Sequence, residues 1–149
     1  MSGRVTLVGF GPGDPDLLTI AGERALAAAE IIFHDDLTNR EFLEQYAAEK
    51  VYVGKRYHRH SHEQEAINEL ILTAALEGKN VVRLKGGDSM IFAHGGEEIE
   101  FLKKNGIEVK VIPGVSTGIA VAGLTQIPLT LRGIAKSVAF ITGHTTDTT

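Results

Sequence analysis

Glycine pairs and acidic residues at the ends of apolar runs are the features of this 149-residue chain best suited to chemistry. The run Val81 to Lys85 ends in Gly86-Gly87-Asp88, and a second pair, Gly95-Gly96, leads into Glu97-Glu98. Glycine pairs after a strand let backbone approach a ligand closely. An Asp beside them accepts hydrogen bonds from a ribose hydroxyl or an amine. The same residues also read as a strand-end turn with Asp88 as a cap. Gly9-Phe10-Gly11-Pro12-Gly13-Asp14 follows an earlier apolar run. Its spacing is not that of a dinucleotide fingerprint, and Pro12 removes a donor that a phosphate would use. It reads as a tight strand-to-helix turn, or as a turn presenting backbone to a neutral or cationic ligand. Asp35-Asp36 closes the run Ile31 to His34, where a carboxylate pair caps a helix or supplies a base and its neighbour. Glu97 and Glu98 suit the positive end of a helix dipole.

A second kind of chemistry is concentrated in Gly54-Lys55-Arg56-Tyr57-His58-Arg59-His60-Ser61-His62, a basic cluster in an acidic chain. It reads as a solvated loop, or as a clamp for a polyanionic ligand, since Arg and Lys match carboxylates in charge and geometry. The three alternating histidines have no Cys or carboxylate partner in the cluster, so no metal site is expected.

The elements that position these residues alternate in type. Val5–Phe10, Ile31–His34, Lys50–Val53, Asn80–Lys85 and Val109–Ile112 read as short strands, and all but Ile31–His34 are stopped by Gly or Pro. Between them, Asp16–Glu30, Thr38–Ala47, Glu63–Leu76 and Glu97–Lys104 carry helical spacing. Asp14 or Asp16 is a candidate cap for the first helix, and Thr38 or Asn39 for the second. The alternation predicts an α/β fold, a mostly parallel five-stranded sheet flanked by helices on both faces. Past Gly114 the texture changes. Val115–Leu124 reads as a helix, Gln126–Gly133 as a loop and Ser137–Thr142 as one more strand. Residues 1–114 are therefore expected to form one domain. Residues 115–149 are expected to open a second α/β domain, truncated here, whose remainder is absent from the sequence.

Composition excludes several classes of function. A hydrophobic content of 43% with 23% charged residues is that of an ordinary globular protein. The formal net charge of −4 does not favour general nucleic-acid binding. With no cysteine, the chain has no disulfide, thiolate metal site or Cys nucleophile. No apolar run approaches the roughly 20 residues that span a membrane. The N-terminus lacks the apolar core of a signal peptide, so the cytoplasm is the expected location.

Taken in order, VGFGPGDPDLLTIAGERAL, HDDL, GKRYHRHSHEQEAIN, VVRLKGGDSMIFAHGGEE, PGVSTGIAVAGLTQIPLTLRG and FITGH resemble the tetrapyrrole methylase family. GPGDPDLLT is shared widely in that superfamily. GKR with downstream His60, Gln64 and Asn68, followed by VVRLKGGD, is closest to the branch that methylates uroporphyrinogen III. The resemblance covers nearly the whole chain. It implies two α/β domains with S-adenosylmethionine in the cleft between them, usually in a homodimer, and a tetrapyrrole substrate. It implies that Gly11, Pro12, Gly13, Asp14, Gly86, Gly87 and Asp88 line the cofactor cleft, with Ser116, Thr117 and Thr142 near it. It maps Asp35, Glu97 and Arg132 onto positions that bind the tetrapyrrole or handle its protons. Asp35 would be the base, or an acceptor for pyrrole N–H groups. Lys55, Arg56, Arg59, Arg83, Lys85 and Arg132 would be counter-charges for the substrate's carboxylates.

The chain departs from the family pattern at Ser89, where Pro is usual, at His94, where a catalytic Arg is usual, and at Leu131, where His is usual. His94 would act as an acid or base near neutral pH, without the permanent bidentate charge of Arg. Other precorrin methylases of the same fold, and a non-catalytic binding or assembly module, are the alternative readings. Without the rest of a second domain, Ile119, Val121, Leu124, Val138, Phe140 and Ile141 are expected to form an apolar patch that drives self-association.

Overall fold

Short runs of β-branched and aliphatic residues form the sheet, and buried central strands carry the longest of them. The computed structural model describes residues 3–54 and 61–143, without the side chains of residues 61–63. Strands β1 (Arg4–Gly9), β2 (Ile31–His34), β3 (Glu49–Tyr52), β4 (Asn80–Lys85) and β5 (Glu108–Ile112) lie in the order β3-β2-β4-β1-β5. Every pairing is parallel. Register places Val5 beside Val81 and Val109, so β-branched residues stack across the centre. The central β1 and β4 are buried along nearly their whole length, whereas β5 at the edge alternates, with Glu108 and Lys110 outward.

Helices α1 (Ile20–Ala27), α2 (Arg40–Leu43), α3 (Ser61–Leu76) and α4 (Gly95–Lys104) cover the two faces. On one face Val5, Leu7, Phe33 and Val81 pack against Ile67, Ile71 and Ala75 of α3 and Leu102 of α4. On the other, Val8, Phe10, Ile32 and Leu84 pack against Leu26 of α1 and Leu43 of α2. Phe10, Leu7, Leu26, Ile71, Leu84 and Leu102 are fully buried. Each such side chain contributes roughly 1.5–3 kcal/mol of hydrophobic stabilisation.

Local capping sets the helix limits. The expected helix from Asp16 to Glu30 is two pieces. A 3₁₀ turn, Pro15–Leu17, is capped by Asp14, whose side chain accepts from Asp16 N. Thr19 then takes an extended conformation and caps α1 by accepting from Gly22 N. The expected helix Thr38–Ala47 is a single α-turn. Asn39 caps it, and the chain continues in tight turns that bury Leu43 and Tyr46. Helix α4 starts at Gly95 and carries Glu97 and Glu98 in its first turn and Lys103 and Lys104 in its last, complementing the dipole.

Contacts divide the chain into two compact units, Met1–Ser116 and Thr117–Thr149. The second contains α5 (Thr117–Thr125) and an antiparallel bridge between Leu131 and Ala135. Gly118 lies under the Phe140 ring, where a Cβ would clash. The expected strand Ser137–Thr142 does not form. A strand persists only where a neighbour takes up its backbone groups, and no strand runs beside this segment among the described residues of that unit. Ile119, Val121, Leu124, Val138, Phe140 and Ile141 are exposed there. No helix among the described residues is long and apolar enough to cross a membrane.

Candidate functional site

The site is assembled where the sheet changes direction. From β1 the chain passes β4 to reach β2, and from β4 it passes β1 to reach β5. The two connections leave neighbouring strands in opposite directions and on opposite faces, through α1 and α4. Such a switch opens a crevice at the carboxyl ends of the strands. Gly11, Pro12, Gly13, Asp14, Gly86, Gly87 and Asp88 all lie at this edge. Gly11 N donates to Gly87 O at 3.1 Å and Gly87 N donates to Gly11 O at 2.7 Å, so the loops after β1 and β4 are stitched together. Gly87 holds φ 62°, which favours glycine. A Cβ on Gly9 would come within 2.7 Å of both the Gly114 backbone and Gly87 O. One on Gly114 would clash with Gly87 O. Three strand ends therefore meet backbone to backbone.

Asp88 braces this junction. Its Oδ2 accepts from Gly114 N at 2.9 Å and its Oδ1 from Met90 N at 2.8 Å. The expected ligand acceptor thus has both carboxylate oxygens engaged by backbone. Ser116 ends the first unit. Thr117, Arg132 and Thr142 belong to the second unit, where Thr117 opens α5 and Arg132 is exposed between the bridge residues Leu131 and Ala135. Lys55, Arg56 and Arg59 lie outside the described residues, as do His58 and His60.

Asp35 stands at the end of β2 in a loop held by its own side chains. Its Oδ1 accepts from Leu37 N at 3.1 Å, and its carbonyl accepts from Thr38 Oγ1 at 2.8 Å. Leu37 is carried close over Gly86, where a Cβ would approach Leu37 Cβ at 2.6 Å. His34 beneath is 5% exposed, with Nδ1 3.3 Å from Thr38 Oγ1. Burial lowers the His34 pKa from its ordinary value, opposed by the Asp35 backbone and reinforced by Arg40. Asp36 makes a separate surface group. It accepts from Tyr52 Oη at 2.6 Å and from Arg40 at 3.2 Å, while Arg40 stacks over the Tyr52 ring at 4.3 Å.

Behind Asp35 lies a buried charged network that sequence reasoning missed. Arg83 and Lys85 point from β4 toward the α3–α4 side, each 4% exposed. Glu98 of α4, 1% exposed, meets them. Its Oε1 accepts from Lys85 Nζ at 2.9 Å, Gln64 Nε2 at 3.2 Å and Arg83 Nε at 3.3 Å. Gln64 also donates to Asn68. Arg83 Nη1 donates to the carbonyls of Leu84 and Phe33, and Nη2 lies 3.8 Å from Asp35 Oδ2. Burial lowers the Lys85 pKa most, then the Arg83 charge, with Glu98 opposing both. Arg83 and Lys85 are thus committed inside the protein rather than presented to substrate carboxylates. The available signal was two cations in a strand otherwise made for burial, which demand a buried anion. From its place in the sequence alone, Glu98 is a partner for the helix dipole.

Residues 89–94 form the remaining rim. Ser89 is fully buried with no hydrogen-bond partner for its hydroxyl among the described residues, and its carbonyl accepts from Gly95 N at 3.1 Å. Met90, Ile91 and Phe92 are exposed, and Phe92 and His94 hold positive φ. His94 and Glu97 pair at 3.0 Å, with both side chains more than half exposed. Of the expected catalytic residues, the fold joins His94 to Glu97 and joins Asp35 to Arg83. At the opposite edge of the sheet, an open hollow of about 310 Å³ is lined by Arg4, Glu30, Lys79, Asn80 and Glu108. There Arg4 and Glu30 both bond Asn80, which closes that group on itself.

Residues 4–149 match the model of the Tetrapyrrole (Corrin/Porphyrin) Methylases. A Uroporphyrinogen-III C-methyltransferase of Methanocaldococcus jannaschii is 51% identical over 147 residues, covering 97% of this chain and 60% of that protein. A Uroporphyrinogen-III C-methyltransferase of Bacillus subtilis is 50% identical over 145 residues, covering 95% of this chain and 56% of that one. The crystal structure of a Thermus thermophilus uroporphyrin-III C-methyl transferase complexed with S-adenyl homocysteine superposes with a TM-score of 0.76 at 44% identity. It covers 91% of this chain and 53% of its own. The chain spans 56–60% of the length of the two curated relatives.

Proposed function

The chain belongs to the tetrapyrrole methylase family, and from that premise we propose that its protein transfers methyl groups from S-adenosylmethionine to carbon atoms of uroporphyrinogen III. The product is precorrin-2, a precursor of sirohaem and cobalamin. The observation that carries this reading is the stitched glycine junction at the switch point, with the Asp35 carboxylate at the same edge. The relatives named above support the substrate, and the complex with S-adenyl homocysteine supports the cofactor.

The donor set at this edge suits a cationic sulfonium better than a phosphate. Pro12 offers no N–H, and Asp14 and Asp35 are acidic. Gly11, Pro12, Gly13, Asp14, Gly86, Gly87 and Asp88 would line one wall of the cofactor site, where Asp14 and Asp88 also hold their loops in shape. Ser116, Thr117 and Thr142 would contribute further contacts. When bound, S-adenosylmethionine supplies an electrophilic methyl group on sulfur. The paired Gly11–Gly87 hydrogen bonds hold the two loop backbones together, and alignment of reactants contributes up to roughly 7–11 kcal/mol to such a step. Asp35 accepts a pyrrole N–H or takes the proton lost from the methylated carbon. His94 and Glu97 act on the substrate as a pair, and Lys55, Arg56, Arg59 and Arg132 meet its carboxylates.

Residues 1–114 form the first domain in this reading and residues 115–149 begin the cofactor-binding second. The protein works as a homodimer in the cytoplasm. The exposed Ile119, Val121, Leu124, Phe140 and Ile141 support self-association of this chain. Light scattering is expected to show a mass that rises with concentration, and a constant monomer mass contradicts it. The functional test uses a version extended to the length of the relatives, given S-adenosylmethionine and uroporphyrinogen III. A dimethylated product is expected. A folded, cofactor-binding protein that transfers no methyl overturns the reading and leaves a non-catalytic binding module.

A further inference from the structure

Arg83 links a buried glutamate to a carboxylate at the rim. Its guanidinium makes three hydrogen bonds through Nε and Nη1 and one longer ion pair through Nη2. Nε donates to Glu98 Oε1 at 3.3 Å, Nη1 donates to Leu84 O at 2.9 Å and Phe33 O at 3.4 Å, and Nη2 faces Asp35 Oδ2 at 3.8 Å. Phe33 and Asp35 belong to the same strand end, so two of these contacts register Arg83 against the segment that carries Asp35. Glu98 in turn is held by Lys85 and Gln64. Exposure rises along the path, with side chains 1% exposed at Glu98, 5% at Arg83 and 24% at Asp35. The buried cations Arg83 and Lys85 outnumber Glu98, and Asp35 supplies the matching negative charge at the rim.

We propose that Arg83, clamped by Glu98, is a positioning residue for Asp35, fixing the direction in which that carboxylate faces the strand edge. The consequence for turnover rests on the proposed function, in which Asp35 meets the substrate. Lysine keeps the charge at position 83 but not the planar fork, so it cannot reach Glu98 and Asp35 in one geometry.

The Leu37 amide reports on Asp35 directly, because it donates to Asp35 Oδ1. In this 149-residue chain, Arg83→Lys is expected to speed hydrogen exchange at Leu37 several-fold, with the β1 amides unchanged. Asp35→Asn is expected to speed it as well, and the double variant no further. Unchanged Leu37 exchange in folded Arg83→Lys overturns the proposal. Should that variant not fold, Glu98→Gln keeps the side-chain size and an acceptor and carries the same measurement. In the extended, active form, Arg83→Lys is expected to lower kcat about tenfold or more, with KM for the tetrapyrrole within about twofold and no added loss on an Asp35→Asn background. Equal losses in both backgrounds overturn the link. Absence of methyl transfer by the unsubstituted form sinks the proposed function alone, since amide exchange still decides the positioning.

Discussion

Glu97 and Glu98 are chain neighbours in the first turn of α4, yet one side chain is 67% exposed and the other 1%. Glu97 meets His94 in solvent, and Glu98 gathers Lys85, Arg83 and Gln64 inside. Both satisfy the helix dipole equally, so the dipole does not distinguish them. What separates them is the roughly 100° turn between successive helical positions, which sends Glu98 toward the sheet and Glu97 away from it. An exposed pair is screened and worth little. A buried one is costly to assemble and costlier to break.

Breaking the two sides separately sharpens this contrast. Glu98→Ala leaves Arg83 and Lys85 buried without their anion. It is expected to cost about 3–5 kcal/mol in denaturant unfolding, and a loss below that of a surface substitution would contradict the network. Gly114→Ala forces a Cβ against Gly87 O. Overpacking of this kind costs about 1–3 kcal/mol, measured the same way. His34 gives a pH effect of intermediate size. Its folded pKa is lowered by burial, so the unfolded chain binds the proton more readily. Stability is therefore expected to fall as pH drops below the ordinary histidine value. His34→Asn should flatten that slope, and thermal melts across a pH series check it. Glu97→Gln comes last, with a stability change within about 0.5 kcal/mol. His94→Arg tests the same surface pair through turnover in the extended form. Higher activity would mark His94 as a defect, and unchanged activity a working substitute.

The legible parts of this molecule were those governed by short-range rules. The five apolar runs before Gly114 became strands, four of them ended by Gly or Pro, and the order of strands and helices held through β5. The parallel sheet followed from their alternation. The glycine corner was legible for the same reason, since Gly86-Gly87-Asp88 closes a strand and the fold returns Gly11 to it. What could not be read was who pairs with whom at long range. The sequence places Asp88 at the glycine corner but does not show that its oxygens accept from Gly114 and Met90. Arg83 and Lys85 looked like substrate contacts because the strand pattern does not name their partner on α4. Gln64 and Asn68, which in the sequence stand out only through the family pattern, feed the Glu98 network. Ser137–Thr142 has strand-like residues and no strand beside it among the described residues. The single turn of α2 reflects burial of Leu43 and Tyr46 rather than helix periodicity.

Methyl transfer to uroporphyrinogen III by the extended form, followed by mass spectrometry of the tetrapyrrole, tests the central claim most directly. A dimethylated product is expected that appears only with S-adenosylmethionine and forms far more slowly, though measurably, in Asp35→Asn. An unmodified tetrapyrrole recovered from a folded protein that binds the cofactor would contradict it.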